Sequence, residues 1–331
     1  MDLKSGKYEI IVRLPMSNIK RILCRFRLFE RLLRLDARNG IMLSEAVFLF
    51  TFNGTLFRLD VDNKTLTEEK KFENGMNNPM GLTLIRNTPG FDDCIVYGEY
   101  LKNEKRKNSI SVFKRPLSAG EWEKVFEFKP GEIRHIHGIK AIDGNVYLLT
   151  GDFGKEAGIW KCEDNFKSVS PMLVGQQKYR TVQMFGLEDG LIFASDSAIE
   201  ANHIYIEKNG EAADLTLING SCLSGAEGRE NFYFSTTVEA DESIRGFRSW
   251  FNRKRGAGIL SNACQIVAVS KKDLSVKKIL EYEKDRLPYK LFQYGHFGLY
   301  YSESTDELLV FPVATKKHDG DLLSISEKDI V

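Results

Sequence analysis

Cysteine is scarce in this sequence, and long apolar runs are missing. The 331 residues include five cysteines, an odd number without C-x-x-C spacing, which argues against a disulfide framework and against a zinc site. No apolar run is long enough to span a bilayer, and the N-terminus lacks the apolar core and cleavage site of a signal peptide. The formal net charge of +1 argues against a nucleic-acid partner. We therefore expect a cytoplasmic protein.

Short β-strand patterns recur along most of the chain. In the clearest copy, residues 131–169, an Asp143-Gly144 pair joins two apolar runs, which is the strongest short-range signal for a hairpin. Six copies of the pattern follow one another at a spacing of roughly 40 to 65 residues. The sequence therefore predicts an all-β fold, a six-bladed β-propeller whose blades are four-stranded antiparallel sheets. A solenoid is the weaker alternative, because no short repeat of fixed length occurs.

We expect a single domain over residues 1–331, with the blades in residues 36–331. The predicted first strands of the six blades are residues 38–44, 80–84, 134–141, 180–187, 221–227 and 289–297. The predicted second strands are residues 46–52, 94–100, 146–152, 191–197, 232–239 and 299–304. The predicted third strands are residues 55–61, 109–114, 158–162, 203–207, 265–270 and 308–313.

Two segments precede the blades. The alternating pattern of residues 7–14 predicts a strand that closes the ring by pairing in the last blade, which would remove an open sheet edge. Residues 17–35 predict an amphipathic helix with apolar residues at helical spacing and a basic opposite face. Its apolar stripe would pack on the protein's own sheets, and the alternative is peripheral contact with an anionic membrane.

Two turns resemble a known sequence motif. Residues 163–166 and 118–122 are similar to eroded Asp-boxes, the turn motif of sialidase-like BNR propellers, although neither has the full Ser/Thr-x-Asp-x-Gly-x-Thr-Trp pattern. The segments 98–100 and 134–138 look more like those of propeller proteins from bacterial exopolysaccharide and glycosyltransferase gene clusters. This resemblance implies a role with carbohydrate, and it does not specify a reaction.

The geometry of a blade predicts where the functional residues meet. The start of the innermost strand lies beside the end of the second strand, so both lie on one face of the ring, next to the central channel. From these positions we assign catalytic roles to His135, His137, Glu99, Asp152 and Asp196. We assign substrate binding to Arg38, Arg134, Arg180, Glu239, His296 and Glu303, together with Trp250 and Arg253 from an insertion. The alternative is structural, with acids that cap turns and arginines that pair between blades.

The His-x-His element has two interpretations. On a strand, His135 and His137 point to the same face, where they could act as acid and base or jointly bind a metal. A metal would need further ligands, such as His203, His296 or the acids named above. We predict no metal and no cofactor, and a divalent metal at His135 and His137 is the alternative.

The longest interruption of the repeat is residues 240–261, in blade five. It contains five basic residues together with Phe247, Trp250 and Phe251, and it would overhang the site as a lid on an acidic glycan. Its residues 245–255 could instead contact a membrane or pack on a neighbouring blade. The loop 102–108 would add positive charge to the same rim.

Three classes of function fit these patterns. The first is a carbohydrate-active enzyme, either a glycoside hydrolase with paired carboxylates or a polysaccharide lyase on an acidic sugar. The second is a non-catalytic glycan-binding or assembly accessory protein, and the third is a protein-interaction scaffold. We predict a propeller that binds or processes an acidic oligo- or polysaccharide at the channel mouth, in exopolysaccharide metabolism.

Overall fold

The computed structural model describes residues 9–73, 76–118 and 120–330, and these ranges contain 25 strands. Blade one contains β1 (Arg38–Ser44), β2 (Val47–Phe52), β3 (Thr55–Asp60) and β4 (Thr65–Lys71). A small sheet pairs β5 (Met76–Asn77) with β8 (Tyr100–Leu101). Blade two contains β6 (Thr83–Ile85), β7 (Cys94–Gly98), β9 (Ile110–Pro116) and β10 (Glu123–Phe128). Blade three contains β11 (Ile136–Ile142), β12 (Asn145–Thr150), β13 (Gly158–Glu163) and β14 (Ser168–Val174).

The second half of the chain repeats this plan. Blade four contains β15 (Thr181–Leu187), β16 (Gly190–Ser195), β17 (Asn202–Lys208) and β18 (Glu211–Ile218). Blade five contains β19 (Cys222–Glu227), β20 (Asn231–Thr236), β21 (Ala263–Ser270) and β22 (Val276–Glu283). Blade six contains β23 (His296–Ser302), β24 (Glu307–Val313) and β25 (Leu323–Ser326). The helices are α1 (Asn18–Leu23), α2 (Arg27–Leu33) and α3 (Tyr289–Phe292).

These sheets form a six-bladed β-propeller, which confirms the fold class predicted from the sequence. Within the described residues five blades have the predicted four strands and blade six has three. Each sheet is antiparallel, and its strands pair in chain order. The first strands of neighbouring blades pack against one another, β15 on β19 and β19 on β23, so the first strand is the innermost. Two-residue turns with positive φ at Asn53-Gly54, Asp143-Gly144 and Asn209-Gly210 join consecutive strands, because such turns match the right-handed twist of a hairpin.

The hydrophobic core consists of layers between neighbouring blades. Between blades two and three, Val96 and Val112 face Ile136, Ile139 and Leu148, and all five are at most 3% exposed. Gly98 permits the closest approach in this layer, because a Cβ atom there would lie 2.5 Å from Cβ of Ile136. This packing holds the start of β11 in place, and β11 carries part of the candidate site.

The segment before the blades differs from two predictions. Residues 9–14 form no strand, and residues 7 and 8 lie outside the described residues. The outer strand of blade six is instead β25, from the C-terminal part of the chain, which pairs with β24. The single helix predicted for 17–35 is two helices, because the chain turns at residues 24–26 between α1 and α2.

The apolar stripe of this helical segment does not pack on the sheets as predicted. Its residues Ile19, Ile22 and Phe26 are 57–72% exposed. The contact with the blades is made by Arg31, which is 3% exposed and pairs with Asp285 (2.7 Å) and Asp319 (2.8 Å). A basic residue therefore docks the helices, and the apolar side chains remain accessible.

The strand assignment predicted for blade six is wrong by one strand. The predicted first strand, 289–297, begins with α3, and the observed first strand β23 covers most of the predicted second strand, 299–304. The residues predicted as third strand, 308–313, belong to the second strand, β24. The polar residues 303–306 form the turn between β23 and β24, with Asp306 at φ 61°, so they do not end a second strand.

Candidate functional site

The candidate site lies on the face of the ring where first strands begin and second strands end, which we call the mouth face. In blade three, His135 directly precedes β11, and Asp152 follows the end of β12 by two residues. A β-bulge between Ile136 and Gly138 leaves His137 without a partner residue on β12. Bulges redirect side chains, and here both imidazoles face the same carboxylate.

Two imidazoles and one carboxylate converge at this point. Nε2 of His135 lies 3.0 Å from Oδ1 of Asp152 and 3.1 Å from Nε2 of His137, which in turn lies 3.2 Å from the same Oδ1. All three residues are buried, with at most 4% of their surface exposed. These residues, the His–His–Asp group, could hold a metal ion.

A backbone carbonyl defines the tautomer of His135. Nδ1 of His135 lies 3.1 Å from the carbonyl oxygen of Leu101, so it carries a proton and donates it. In a neutral imidazole, Nε2 then carries a lone pair that faces the Asp152 oxygen at 3.0 Å. Two hydrogen-bond acceptors 3.0 Å apart repel each other unless a positive charge lies between them. A proton shared between the two atoms, or a metal cation, would supply that charge.

Several polar atoms around the group have no partner. Seven buried side-chain nitrogen or oxygen atoms of the described residues lack a hydrogen-bond partner. Four of them are Nδ1 of His137, Nε of Arg134, Nε of Arg180 and Oδ1 of Asp196. An unsatisfied buried polar atom costs about 1–3 kcal/mol, so a cluster of them is more typical of a binding site than of a structural core.

Two arginines surround the Asp152 carboxylate. Nη1 of Arg134 contacts Oδ2 of Asp152. Nη2 of Arg180 lies 3.6 Å from Oδ1 of Asp152 and 3.3 Å from Oδ2 of Asp196. Burial acts to raise the pKa of Asp152, but hydrogen bonds from His135 and His137 outweigh it and hold that pKa well below its usual range. Burial acts in the opposite direction on the imidazole of His137 and lowers its pKa.

The pKa of a second carboxylate in this region, Glu239, is shifted in the direction opposite to that of Asp152. Glu239 follows β20 in blade five and accepts a hydrogen bond from Oγ1 of Thr237 at 2.8 Å. Burial, together with the negative charge of Asp196, raises the pKa of Glu239 to about 7. The pKa values of Asp152 and Glu239 are therefore shifted in opposite directions, which is the pattern expected of functional acids.

Tyr100 is a site residue that the sequence reasoning missed. Its ring lies against the His135 imidazole, with the ring centroids 4.1 Å apart. Burial raises the pKa of its phenol to about 12, and the charge of Asp152 adds to the effect. The segment Gly98-Glu99-Tyr100 contained a signal for this residue. Neighbouring side chains along an extended chain point to opposite faces, so Glu99 and Tyr100 cannot both face the site.

The neighbour of Tyr100, Glu99, points away from the His–His–Asp group. Oε2 of Glu99 accepts a hydrogen bond from the backbone nitrogen of Ser111 at 2.7 Å, and the side chain lines a separate cavity of 590 Å³ with Glu73 and Lys124. Burial raises the pKa of Glu99. Glu99 therefore lies outside the His–His–Asp group, and its catalytic role remains a prediction.

Arg38 and His296 lie on the mouth face but do not contact the group. Arg38 pairs with Asp36 at 2.7 Å. Nδ1 of His296 lies 3.1 Å from the carbonyl oxygen of Tyr294, and burial lowers the pKa of His296 to about 4. Their roles in substrate binding remain predictions.

Three other predicted residues lie at a distance from the group. Glu303 is in the turn between β23 and β24, so its placement at a second-strand end was wrong, and its carbonyl accepts from Nη2 of Arg229 at 2.9 Å. Trp250 lies under Nζ of Lys290, 4.5 Å from the ring centroid. Arg253 borders a separate cavity of 200 Å³. The lid role of Trp250 and Arg253 remains a prediction.

Comparison with known proteins supports the fold. No family model matches the sequence, and no curated protein matches it. The structure of an oligogalacturonate lyase from Vibrio parahaemolyticus is 13% identical, with a TM-score of 0.50 over 82% of this chain and 72% of that chain. A protein of unknown function from Bacteroides thetaiotaomicron is 7% identical, with a TM-score of 0.51 over 86% of this chain and 66% of its own. At these identities the likeness shows the fold alone.

One further property concerns the helices. None of those in the described residues has the length and apolar composition needed to cross a membrane.

Proposed function

We propose that the protein binds a divalent transition metal in the His–His–Asp group and processes an acidic glycan beside it. The observation that carries this proposal is the convergence of Nε2 of His135, Nε2 of His137 and Oδ1 of Asp152 within 3.0–3.2 Å of one another. Imidazole and carboxylate ligands suit zinc, manganese and iron. The Leu101 carbonyl supports this choice, because metal-binding histidines commonly donate their other ring proton to such a partner.

The charges around the group support an anionic substrate. The guanidinium groups of Arg134 and Arg180 face the carboxylates of Asp152 and Asp196, so these four charges balance. A bound divalent cation would leave an excess of positive charge. The carboxylate of a uronic acid would neutralise it and would suit a guanidinium fork.

In this proposal Glu239 transfers the proton. Its pKa of about 7 is close to the optimum for a group that acts as a base at neutral pH. In an elimination, Glu239 would take the proton from the carbon next to the uronate carboxylate. The glycosidic C–O bond on the next ring carbon would break as a double bond forms between the two carbons, and Glu239 would pass its proton to the leaving oxygen, so no water is consumed. The metal, when bound, would supply Lewis-acid stabilisation of the substrate carboxylate. Tyr100, beside His135, would contact the sugar.

The name of the structural neighbour from Vibrio parahaemolyticus adds support for elimination, because that protein is an oligogalacturonate lyase. Hydrolysis is the second candidate, favoured by the opposite pKa shifts of Asp152 and Glu239. The relation to BNR propellers, the link to exopolysaccharide metabolism and the cytoplasmic location remain part of this proposal.

The first experiment measures metal content. Elemental mass spectrometry of the purified protein should find one transition metal per chain, and His137→Ala should remove it. His203→Ala is the matched control, because His203 pairs with Asp214 at 3.0 Å on another blade and should leave the metal unchanged. A metal-free protein that takes up no added metal would contradict the metal site.

The second experiment measures turnover. Polygalacturonate and alginate are compared with neutral dextran, with the ultraviolet absorbance of unsaturated uronates as the signal. Glu239→Gln should lower kcat on the order of 100-fold or more, whereas Glu242→Gln should not. Binding of acidic glycans without product would mean that the protein is a glycan-binding module. New reducing ends without that absorbance would favour hydrolysis.

A further inference from the structure

The mouth face carries a surface of exposed apolar side chains surrounded by basic ones. It is formed by two segments that are distant in sequence: residues 13–34, which contain α1 and α2, and residues 241–255 of the insertion, which contain a 3-10 helix, Gly246–Phe251. We call these two segments together the mouth patch. Both lie on the mouth face, since α2 leads into the start of β1 and the insertion connects the end of β20 to the start of β21.

Large apolar side chains of the mouth patch are strongly exposed to solvent. Ile19 is 72% exposed, Phe26 is 59% exposed and Phe247 is 78% exposed. The same patch also exposes Ile22, Leu28, Phe29, Leu33, Trp250 and Phe251. Monomeric proteins rarely expose so many large apolar residues together without a partner.

The helix α3 connects the two segments into one surface. It packs against α2 and against the 3-10 helix. Nη2 of Arg34 donates to the carbonyl oxygen of Lys290 at 3.2 Å, and Nζ of Lys290 donates to Oγ of Ser249 at 3.0 Å. The ammonium group of Lys290 also lies over the ring of Trp250. The two segments therefore flank the same short helix, α3.

The net charge of the mouth patch is positive, although Arg31 is buried and pairs with Asp285 and Asp319 outside the patch. Residues 13–34 and 241–255 contain twelve Lys and Arg and three Asp and Glu, whereas the whole chain has a net charge of +1. The remainder of the chain is therefore acidic. The acids that lie within these ranges are partly neutralised, since Glu30 pairs with Arg27 at 3.0 Å and Asp241 pairs with Lys254 at 2.8 Å.

We propose that the mouth patch docks the protein on the surface of an anionic lipid bilayer. Apolar and aromatic side chains that insert to the depth of the headgroups, flanked by Lys and Arg, are the combination that binds such a surface. A second copy of the chain would bring two cationic patches together, and their repulsion opposes a symmetric dimer through this face. The insertion thus acts as a membrane contact rather than as a lid.

This orientation turns the His–His–Asp group toward the bilayer, because that group lies on the same face. The protein would then meet glycans attached to the membrane or emerging from it. The docking itself does not depend on the proposed activity, so either can fail without the other.

The experiment is co-sedimentation of the full chain with vesicles. Equimolar phosphatidylglycerol and phosphatidylcholine should bind the protein, phosphatidylcholine alone should bind it weakly, and salt should reduce the binding to the anionic vesicles. The double variant Arg248→Ala/Arg253→Ala should bind on the order of 25-fold more weakly, since each cation near an anionic surface contributes about fivefold. Phe247→Ser/Trp250→Ser should also lose binding.

Matched controls carry the same changes on other surfaces. Lys208→Ala/Lys328→Ala removes two exposed cations away from the mouth face, and Val276→Ser changes a side chain that is 39% exposed at the start of β22, at the opposite end of blade five. Both should bind as the parent does. Equal binding to both vesicle types, or mouth-patch variants that bind like the controls, would overturn the proposal. So would a dimer that these variants convert to monomers in light scattering, which would make the patch a protein interface.

Discussion

The carbonyl oxygen of Leu101 accepts a hydrogen bond from Nδ1 of His135 across the boundary between blades two and three, at 3.1 Å. Leu101 belongs to β8, which pairs with β5 in a small sheet outside the blades. This short sheet therefore orients an imidazole of the neighbouring blade. The contact also leaves Nε2 of His135 to face Asp152, which is why the group requires a proton or a cation between its members.

The Asp152 carboxylate should be the most important single side chain of the site for stability. Asp152→Asn keeps the shape but leaves Arg134 without its carboxylate and weakens the pairing of Arg180. We expect the free energy of unfolding to fall by about 3 kcal/mol, as for other buried ion pairs that lose one partner. Urea unfolding measures this. Asp143→Asn, in an exposed turn of the same blade, should change it by less than about 0.5 kcal/mol, and equal effects of the two variants would contradict the prediction.

Glu239 should make stability depend on pH. Its pKa is raised from 4.5 to about 7, so the folded protein keeps this proton over a pH range in which the unfolded chain has lost it. Raising the pH through this range therefore lowers the free energy of unfolding. Glu239→Gln cannot ionise, so it should be more stable than the parent at pH 8, by no more than about 3 kcal/mol, and equal to it near pH 4.

Chemical unfolding of both proteins at several pH values measures the difference. Glu242→Gln, an exposed side chain in the same loop, should follow the parent. A stability gap that grows toward low pH would have the wrong sign.

Gly98 should be intolerant of any side chain. In Gly98→Ala the new Cβ would lie 2.5 Å from Cβ of Ile136, the residue between the two histidines. We expect a loss of about 1–3 kcal/mol from overpacking, and a weaker metal affinity if the metal site exists. Gly81→Ala, where nothing lies within 4 Å, is the control. Ile136→Ala in the Gly98→Ala background should relieve part of the strain, and no relief would mean that the clash is not the cause.

Arg31 should control the attachment of the N-terminal helices. Arg31→Met removes the pairs with Asp285 and Asp319. Because Lys284 still pairs with Asp285 and Arg27 still pairs with Asp319, we expect a loss of only about 2 kcal/mol. Limited proteolysis with mass spectrometry should show faster cleavage within residues 17–33. Arg25→Met, at an exposed position, should be cleaved like the parent.

Much of the fold could be predicted from the sequence, because strands and hairpin turns are encoded locally. The Asp143-Gly144 turn and its flanking apolar runs determine a hairpin without reference to the rest of the chain. The same local logic failed in blade six, where the polar turn at residues 303–306 has the composition of a strand end. The packing of β23 on β19 of blade five makes β23 the first strand of its blade, and that contact is long-range in sequence.

Part of the candidate site could also be predicted from the sequence, and part of it depended on tertiary contacts. The period of two along a strand predicted that His135 and His137 lie on one face, and the blade plan predicted Asp152 near them. The structure brings the two imidazoles together through a β-bulge at His137, which the alternation does not reveal. The contact of Tyr100 with His135 and that of the Leu101 carbonyl with His135 depend on the packing of blade three against blade two. The outward direction of Glu99 depends on its hydrogen bond with Ser111, on another strand of blade two. The exposure of Ile19, Phe26 and Phe247 depends on tertiary contacts too, because an apolar stripe has the same sequence whether it packs inside or faces outward. Local order is determined by neighbours in the chain, and burial is decided only when distant segments meet.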